Sequence, residues 1–150
     1  MEMNRREVLA SLSVFALLDG LFAGQAEAAG LDMAKSVVFQ YDQLPVVHNA
    51  NGGTSRAVMK GTLKTGEFVE VHETTLPAGQ MPHPPHRHSH SEFLLIREGN
   101  LEFQDEGVPM PVGPGGVVYT ASGRLHGLKN TGTTMGSYFV VAVGVQKAEG

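Results

Sequence analysis

Gly79-Gln80-Met81-Pro82-His83-Pro84-Pro85-His86-Arg87-His88-Ser89-His90-Ser91-Glu92 is the stretch on which the reading of this chain turns. Four of the seven histidines fall inside it, between His83 and His90. Residues two apart on an extended segment face one side, so His86 and His88 can aim two imidazoles at one ion, their Cα atoms about 6.6 Å apart. Glu92 has the same parity, yet on a straight strand it would lie about 13 Å beyond His88. For Glu92 to join the pair, residues 89–91 must turn, and Ser89-His90-Ser91 is polar enough to permit it. His90 then reads as a rim residue and His83 as a solvated loop residue.

The run that follows, residues 92–97, sets Leu94 and Ile96 on the face of Glu92. A carboxylate on an otherwise apolar face is costly without a partner, and a divalent cation is a natural one. Farther on, His126 opens a short run with Leu128 on its own face. One histidine alone proves little. His72 stands on a strand and suits a structural role. Arg124 reads as a surface arginine that could hold an anion, and Tyr119 as either a pocket-lining or a core aromatic.

Outward from the histidines, short runs rich in Val, Phe, Tyr, Leu and Thr alternate with Gly, Pro and Asn. They cover residues 37–41, 56–63, 68–76, 92–97, 100–104, 117–120, 126–130 and 135–143. Thr65-Gly66 joins the second to the third as a hairpin. No helical period persists over a dozen residues. The expectation is an all-β domain, a sandwich or closed barrel, with Phe68, Phe93, Phe103, Tyr138 and Phe139 mostly in its core.

The chain has 150 residues, enough for one core, and 11 Lys+Arg against 15 Asp+Glu give a formal charge of -4. Without a basic stripe a nucleic-acid partner is not expected. The absence of cysteine excludes disulfides, thiolate metal sites and a cysteine nucleophile. At the amino terminus, Arg5-Arg6 precedes an apolar run over residues 8–22, then Ala26 and Ala28 two apart, the three parts of a secretory signal. Asn4-Arg5-Arg6-Glu7-Val8-Leu9 is similar to a twin-arginine export signal. The run is about 15 residues where a span needs roughly 20, so no membrane anchor is expected. We divide the chain into a cleavable signal peptide (1–28), a linker (29–35), a β-domain (36–145) and a tail (146–150), and expect a periplasmic or secreted protein.

Taken together, the two histidine-bearing segments resemble the cupin superfamily, in its small single-domain form. Its first motif, G-x5-H-x-H-x3-or-4-E-x6-G, is matched by Gly79, His86, His88, Glu92 and Gly99, with one extra residue before His86. Its second, G-x5-P-x-G-x2-H-x3-N, is matched by Gly115, Gly123, His126 and Asn130, with Ala121 in place of proline. The resemblance covers roughly residues 36–145. It implies a jelly-roll β-barrel holding a metal on His86, His88, Glu92 and His126. Three imidazoles and a carboxylate suit Mn, Fe, Ni, Co or Zn, and the lack of sulfur disfavours Cu(I). Four protein ligands leave up to two octahedral positions for water, dioxygen or a substrate.

The function so implied is an exported metal-binding cupin, acting as a metal-dependent oxygenase on a small organic molecule. The alternatives are a non-catalytic metal- or ligand-binding module of the envelope and a metal-dependent lyase or isomerase. No general base stands out beyond the four ligands. Small cupins are often homodimers, and the apolar run over residues 138–145 could supply an interface strand.

Overall fold

The computed structural model describes residues 33–145. The expected signal segment 1–28, the start of the linker and the tail 146–150 lie outside the described residues. After a 3-10 turn at Tyr41–Gln43 come nine strands among the described residues: β1 (Val46–His48), β2 (Thr54–Thr62), β3 (Phe68–Leu76), β4 (Ser91–Glu98), β5 (Leu101–Asp105), β6 (Val108–Val112), β7 (Val117–Thr120), β8 (His126–Asn130) and β9 (Gly136–Gly144). Six form one antiparallel sheet in the order β1-β2-β3-β9-β4-β7, and three form another in the order β6-β5-β8.

Strand alternation decides what lies between the sheets. On β4, Leu94 and Ile96 are buried while Phe93 and Leu95 are exposed on the opposite face. From the larger sheet Leu76, Leu94, Ile96, Tyr138 and Val140 meet Leu101, Phe103 and Leu128 of the smaller one in a single core. The aromatic expectation is thereby corrected. Phe103 and Tyr138 are core residues, Phe68 and Phe139 are half-buried, and Phe93 and Tyr119 lie outside, their ring centroids 5.3 Å apart.

One further expectation fails for an identifiable reason. Residues 37–40 have no strand partner. Instead, the segment seats Tyr41 on the outer face of the larger sheet, its hydroxyl donating to Glu73 Oε1 at 3.0 Å. The guanidinium carbons of Arg56 and Arg97 each lie 4.6 Å from the Tyr41 ring centre. Strand β9 pairs with β3 on one side and β4 on the other. Both its hydrogen-bonding edges are used, so the carboxy-terminal run has no free edge to offer a second copy.

The turns hold the strand ends tightly. Gly99 adopts φ 83°, and a Cβ there would sit 2.7 Å from Gly136 Cα, so only glycine fits between β4 and β9. Asn130 ties the two sheets together. Its Nδ2 donates to the carbonyls of Leu76 and Thr134, each at 2.8 Å, and its Oδ1 accepts from Gly132 N–H at 3.0 Å. The side chain is wholly buried. Asn130→Ala is therefore expected to lower the free energy of unfolding by about 3 kcal/mol, because buried carbonyls lose their donor. Denaturant titration measures this, and a loss below about 1 kcal/mol would contradict the assignment.

Candidate metal centre

Backbone pairing brings the separated histidines together. His126, at the start of β8, pairs with Asp105 of β5 on one side and with His86 on the other. Each of the two histidines donates its N–H to the other's carbonyl, at 2.9 and 3.0 Å. Residues 89–90 bend as the sequence requires, which returns Glu92 toward His88. The bend is held by Gly123 N–H donating to the His88 carbonyl at 2.8 Å and by the Ser122 hydroxyl donating to the Ser89 carbonyl at 2.7 Å. Gly123 does so at φ 78°, a left-handed conformation that glycine adopts freely.

The four side chains expected at the site do approach one another. His88 Nε2 lies 3.1 Å from His126 Nε2 and 3.2 Å from Glu92 Oε1, and His126 Nε2 lies 3.7 Å from Glu92 Oε2. The His86 ring centre is 4.7 Å from that of His126 and 5.2 Å from that of His88. Candidate ligand atoms of His86, His88 and His126 fall within 4.8 Å of one another, and so do those of His88, His90 and Glu92. His88 belongs to both groups.

Hydrogen bonds fix which nitrogens face inward. His88 Nδ1 is 2.8 Å from the His90 carbonyl, and His126 Nδ1 is 2.9 Å from the Arg124 carbonyl. A carbonyl can only accept, so both Nδ1 atoms carry hydrogen and both Nε2 atoms are left to face each other. In the neutral rings these are two opposed lone pairs beside a carboxylate. Only a proton or a metal cation relieves that arrangement. His86 Nδ1 is buried and has no hydrogen-bond partner among the described residues. The three imidazoles of His86, His88 and His126 could together hold a metal ion.

The titration behaviour has the same cause. Burial, and then the neighbouring rings of His83, His126 and His88, push His86 down to about 3, which leaves it neutral and ready to ligate. Burial pushes the Glu92 carboxyl up, but the contacts from His126, His88 and His90 outweigh it and hold Glu92 well below the usual carboxylate range. Burial alone would lower His126; its contacts with Glu92 and the Arg124 carbonyl reverse this, and its pKa is raised above 6.5.

Several other residues depart from their sequence reading. His90 is no rim residue: its ring stacks on His88 at 3.7 Å and its Nε2 lies 3.0 Å from Glu92 Oε1. His83 is exposed as expected, yet its ring meets His86 edge-on at 4.1 Å. Arg124 pairs with Asp105 at 2.6 Å and Arg87 with Glu106 at 2.8 Å, both bracing the exposed rim. A buried Glu70, with Lys60 and His72 beside it on the inner face of β2 and β3, also went unrecognised. Its only signal was an alternating charged strand, Glu70-Val71-His72, whose inward face cannot be told from spacing alone.

Because the folded chain holds the His126 proton to a higher pH than a free imidazole does, an incoming ion must displace it. His86 is already neutral and offers no such competition. Raising the pH through and above 6.5 removes the competing proton, so affinity must rise with pH. Zinc competition against a chromophoric chelator should show up to about tenfold tighter binding per pH unit while His126 titrates. An affinity independent of pH over this range would contradict the geometry.

Residues 72–142 match the Cupin domain family. No curated protein matches the chain. Among solved structures, an RmlC-like cupin from Shewanella frigidimarina is 16% identical with a TM-score of 0.61, over 75% of this chain and 95% of that one. The polyketide cyclase RemF from Streptomyces resistomycificus is 17% identical with a TM-score of 0.60, over 73% and 80% of the two chains. A "predicted oxalate decarboxylase" from Thermotoga maritima is 24% identical with a TM-score of 0.56, over 71% and 98%. These likenesses speak for the fold. The matched segment, residues 72–142, carries His86, His88, Glu92 and His126, and the shared double-sheet architecture is that of a cupin fold.

Proposed function

We propose that this chain is an exported cupin in which His86, His88, His126 and Glu92 hold one divalent ion, Mn, Fe, Ni, Co or Zn, and that it is a metal-dependent oxygenase for a small organic molecule. The observation that carries the metal reading is the pair of Nε2 atoms 3.1 Å apart beside Glu92, with both Nδ1 hydrogens committed to carbonyls. When bound, the ion supplies Lewis-acid polarisation of a ligand oxygen. The chain does the rest. Two backbone carbonyls keep the imidazoles of His88 and His126 oriented, and Glu92 offsets part of the ion's charge. Phe103, whose ring centre is 6.1 Å from that of His126, and the buried Leu94 and Leu128 keep bulk water from the centre.

A second reading, a metal-dependent lyase or isomerase, draws support from fold relatives described as a polyketide cyclase and a predicted oxalate decarboxylase. Export rests on the Arg5-Arg6 segment, and a twin-arginine route would let the metal load before translocation. A homodimer is supported by exposed apolar side chains on the outer face of the larger sheet, Phe93, Leu95, Val117 and Tyr119.

His86→Ala and His126→Ala should each cut metal content by about tenfold or more while leaving β-rich circular dichroism intact, since the core does not need an ion to fold. Atomic emission measures the first; full metal in both variants would refute the ligand assignment. Oxygen uptake across phenols, diketones and thiols tests the reaction. Substrate loss without oxygen uptake favours the lyase or isomerase. A silent panel on protein with bound Fe or Mn leaves a binding module.

A further inference from the structure

The inner face of the larger sheet carries a second polar cluster two strands from Glu92. Pairing register aligns Lys60, Glu70, Ala142, Glu92 and Thr120 in one row across β2, β3, β9, β4 and β7. Glu70 is buried; its Oε2 lies 3.7 Å from Lys60 Nζ and its Oε1 lies 3.5 Å from His72 Nδ1. At the usual strand spacing the Cα atoms of Glu70 and Glu92 are about 10 Å apart, and the residue between them, Ala142, contributes only a methyl group. His72, in the next row, neighbours Val140 and then Leu94.

Two polar atoms on this inner face are buried without a hydrogen-bond partner among the described residues: His72 Nδ1 and Thr120 Oγ1. They lie on opposite sides of Glu92 along the sheet. Buried polar atoms left in this state cost on the order of 1–3 kcal/mol each, so something polar is expected to reach them.

We propose that Lys60, Glu70 and His72 form a ligand subsite that takes the hydroxyl-bearing end of a small hydroxy acid, whose carboxylate end lies at the His86–His88–His126–Glu92 centre. The subsite rests on the metal reading above for the carboxylate end only. Lys60 and Glu70 cancel in charge, so the cluster draws neither a strong anion nor a cation. A second carboxylate there would meet Glu70. An alkyl chain would leave His72 Nδ1 without a hydrogen bond. A hydroxyl is donor and acceptor at once: it donates to Glu70 and accepts from His72 or Lys60.

Gluconate and hexanoate share length and carboxylate and differ in hydroxyls. An apolar barrel prefers hexanoate; the proposed subsite prefers gluconate. Isothermal titration calorimetry on zinc-loaded and metal-free chain should give gluconate at least about tenfold tighter binding than hexanoate to the loaded form. Glu70→Gln and His72→Phe should each remove most of that preference and leave hexanoate affinity and zinc content unchanged. In the zinc-loaded chain, the His72 imidazole nitrogens should shift in NMR spectra on adding gluconate. Lys60→Met replaces Glu70→Gln if the latter fails to fold. Hexanoate binding as tightly as gluconate, or gluconate binding indifferent to both substitutions, overturns the subsite. Gluconate binding that depends on Glu70 in a chain holding no zinc sustains the subsite and refutes the metal reading instead.

Discussion

A carboxylate set among leucines between two sheets has to be compensated, and Glu92 is that carboxylate. Leu94 and Ile96 share its face and are buried. Removing such a charge from water costs several kcal/mol unless a cationic or strongly donating partner is supplied. The chain supplies imidazoles, from His88 and His90 just before β4 and from His126 across the barrel. Much of the local architecture serves that delivery: the bend at residues 89–90, the left-handed Gly123 that clasps it, and the reciprocal backbone pair of His86 and His126.

The same sheet compensates a second buried carboxylate quite differently. Glu73, on the outer face of β3, is wholly buried beneath Tyr41 and meets Arg56 at 2.9 Å and Arg97 at 3.4 Å. Guanidinium is always charged, so this cluster is complete and structural. Imidazole becomes cationic only on protonation, and its other resource is a lone pair for a metal. Glu92 is thus surrounded by groups that leave its compensation exchangeable between a proton and an ion. That contrast, more than the presence of histidines, sets the inner cluster apart from the outer one.

The all-β class and seven of the strands, to within a residue or two, were legible in the sequence, because alternation is a local property. The grouping of His126 with His86, His88 and Glu92 comes from the resemblance of the two motifs. What was missed is nonlocal. Strand β6 is absent from the expected runs; it holds Pro109 and Pro111 and lies at a sheet edge, where proline is tolerated. Phe93 looks like core until the register shows its face turned outward. His90 reads as a rim residue because spacing shows a necessary bend but not where the bent ring goes. The Lys60–Glu70–His72 cluster depends on pairing between β2, β3 and β9, which no single segment encodes.

The most direct measurement is a crystal structure of the natively loaded protein with anomalous data collected on both sides of the absorption edge of its metal. The account predicts one peak, about 2.0–2.2 Å from a nitrogen of each of His86, His88 and His126 and from one Glu92 oxygen, if the ion is zinc, and slightly farther for larger ions. A peak elsewhere, or these four side chains turned apart around an ion-free core, would contradict it.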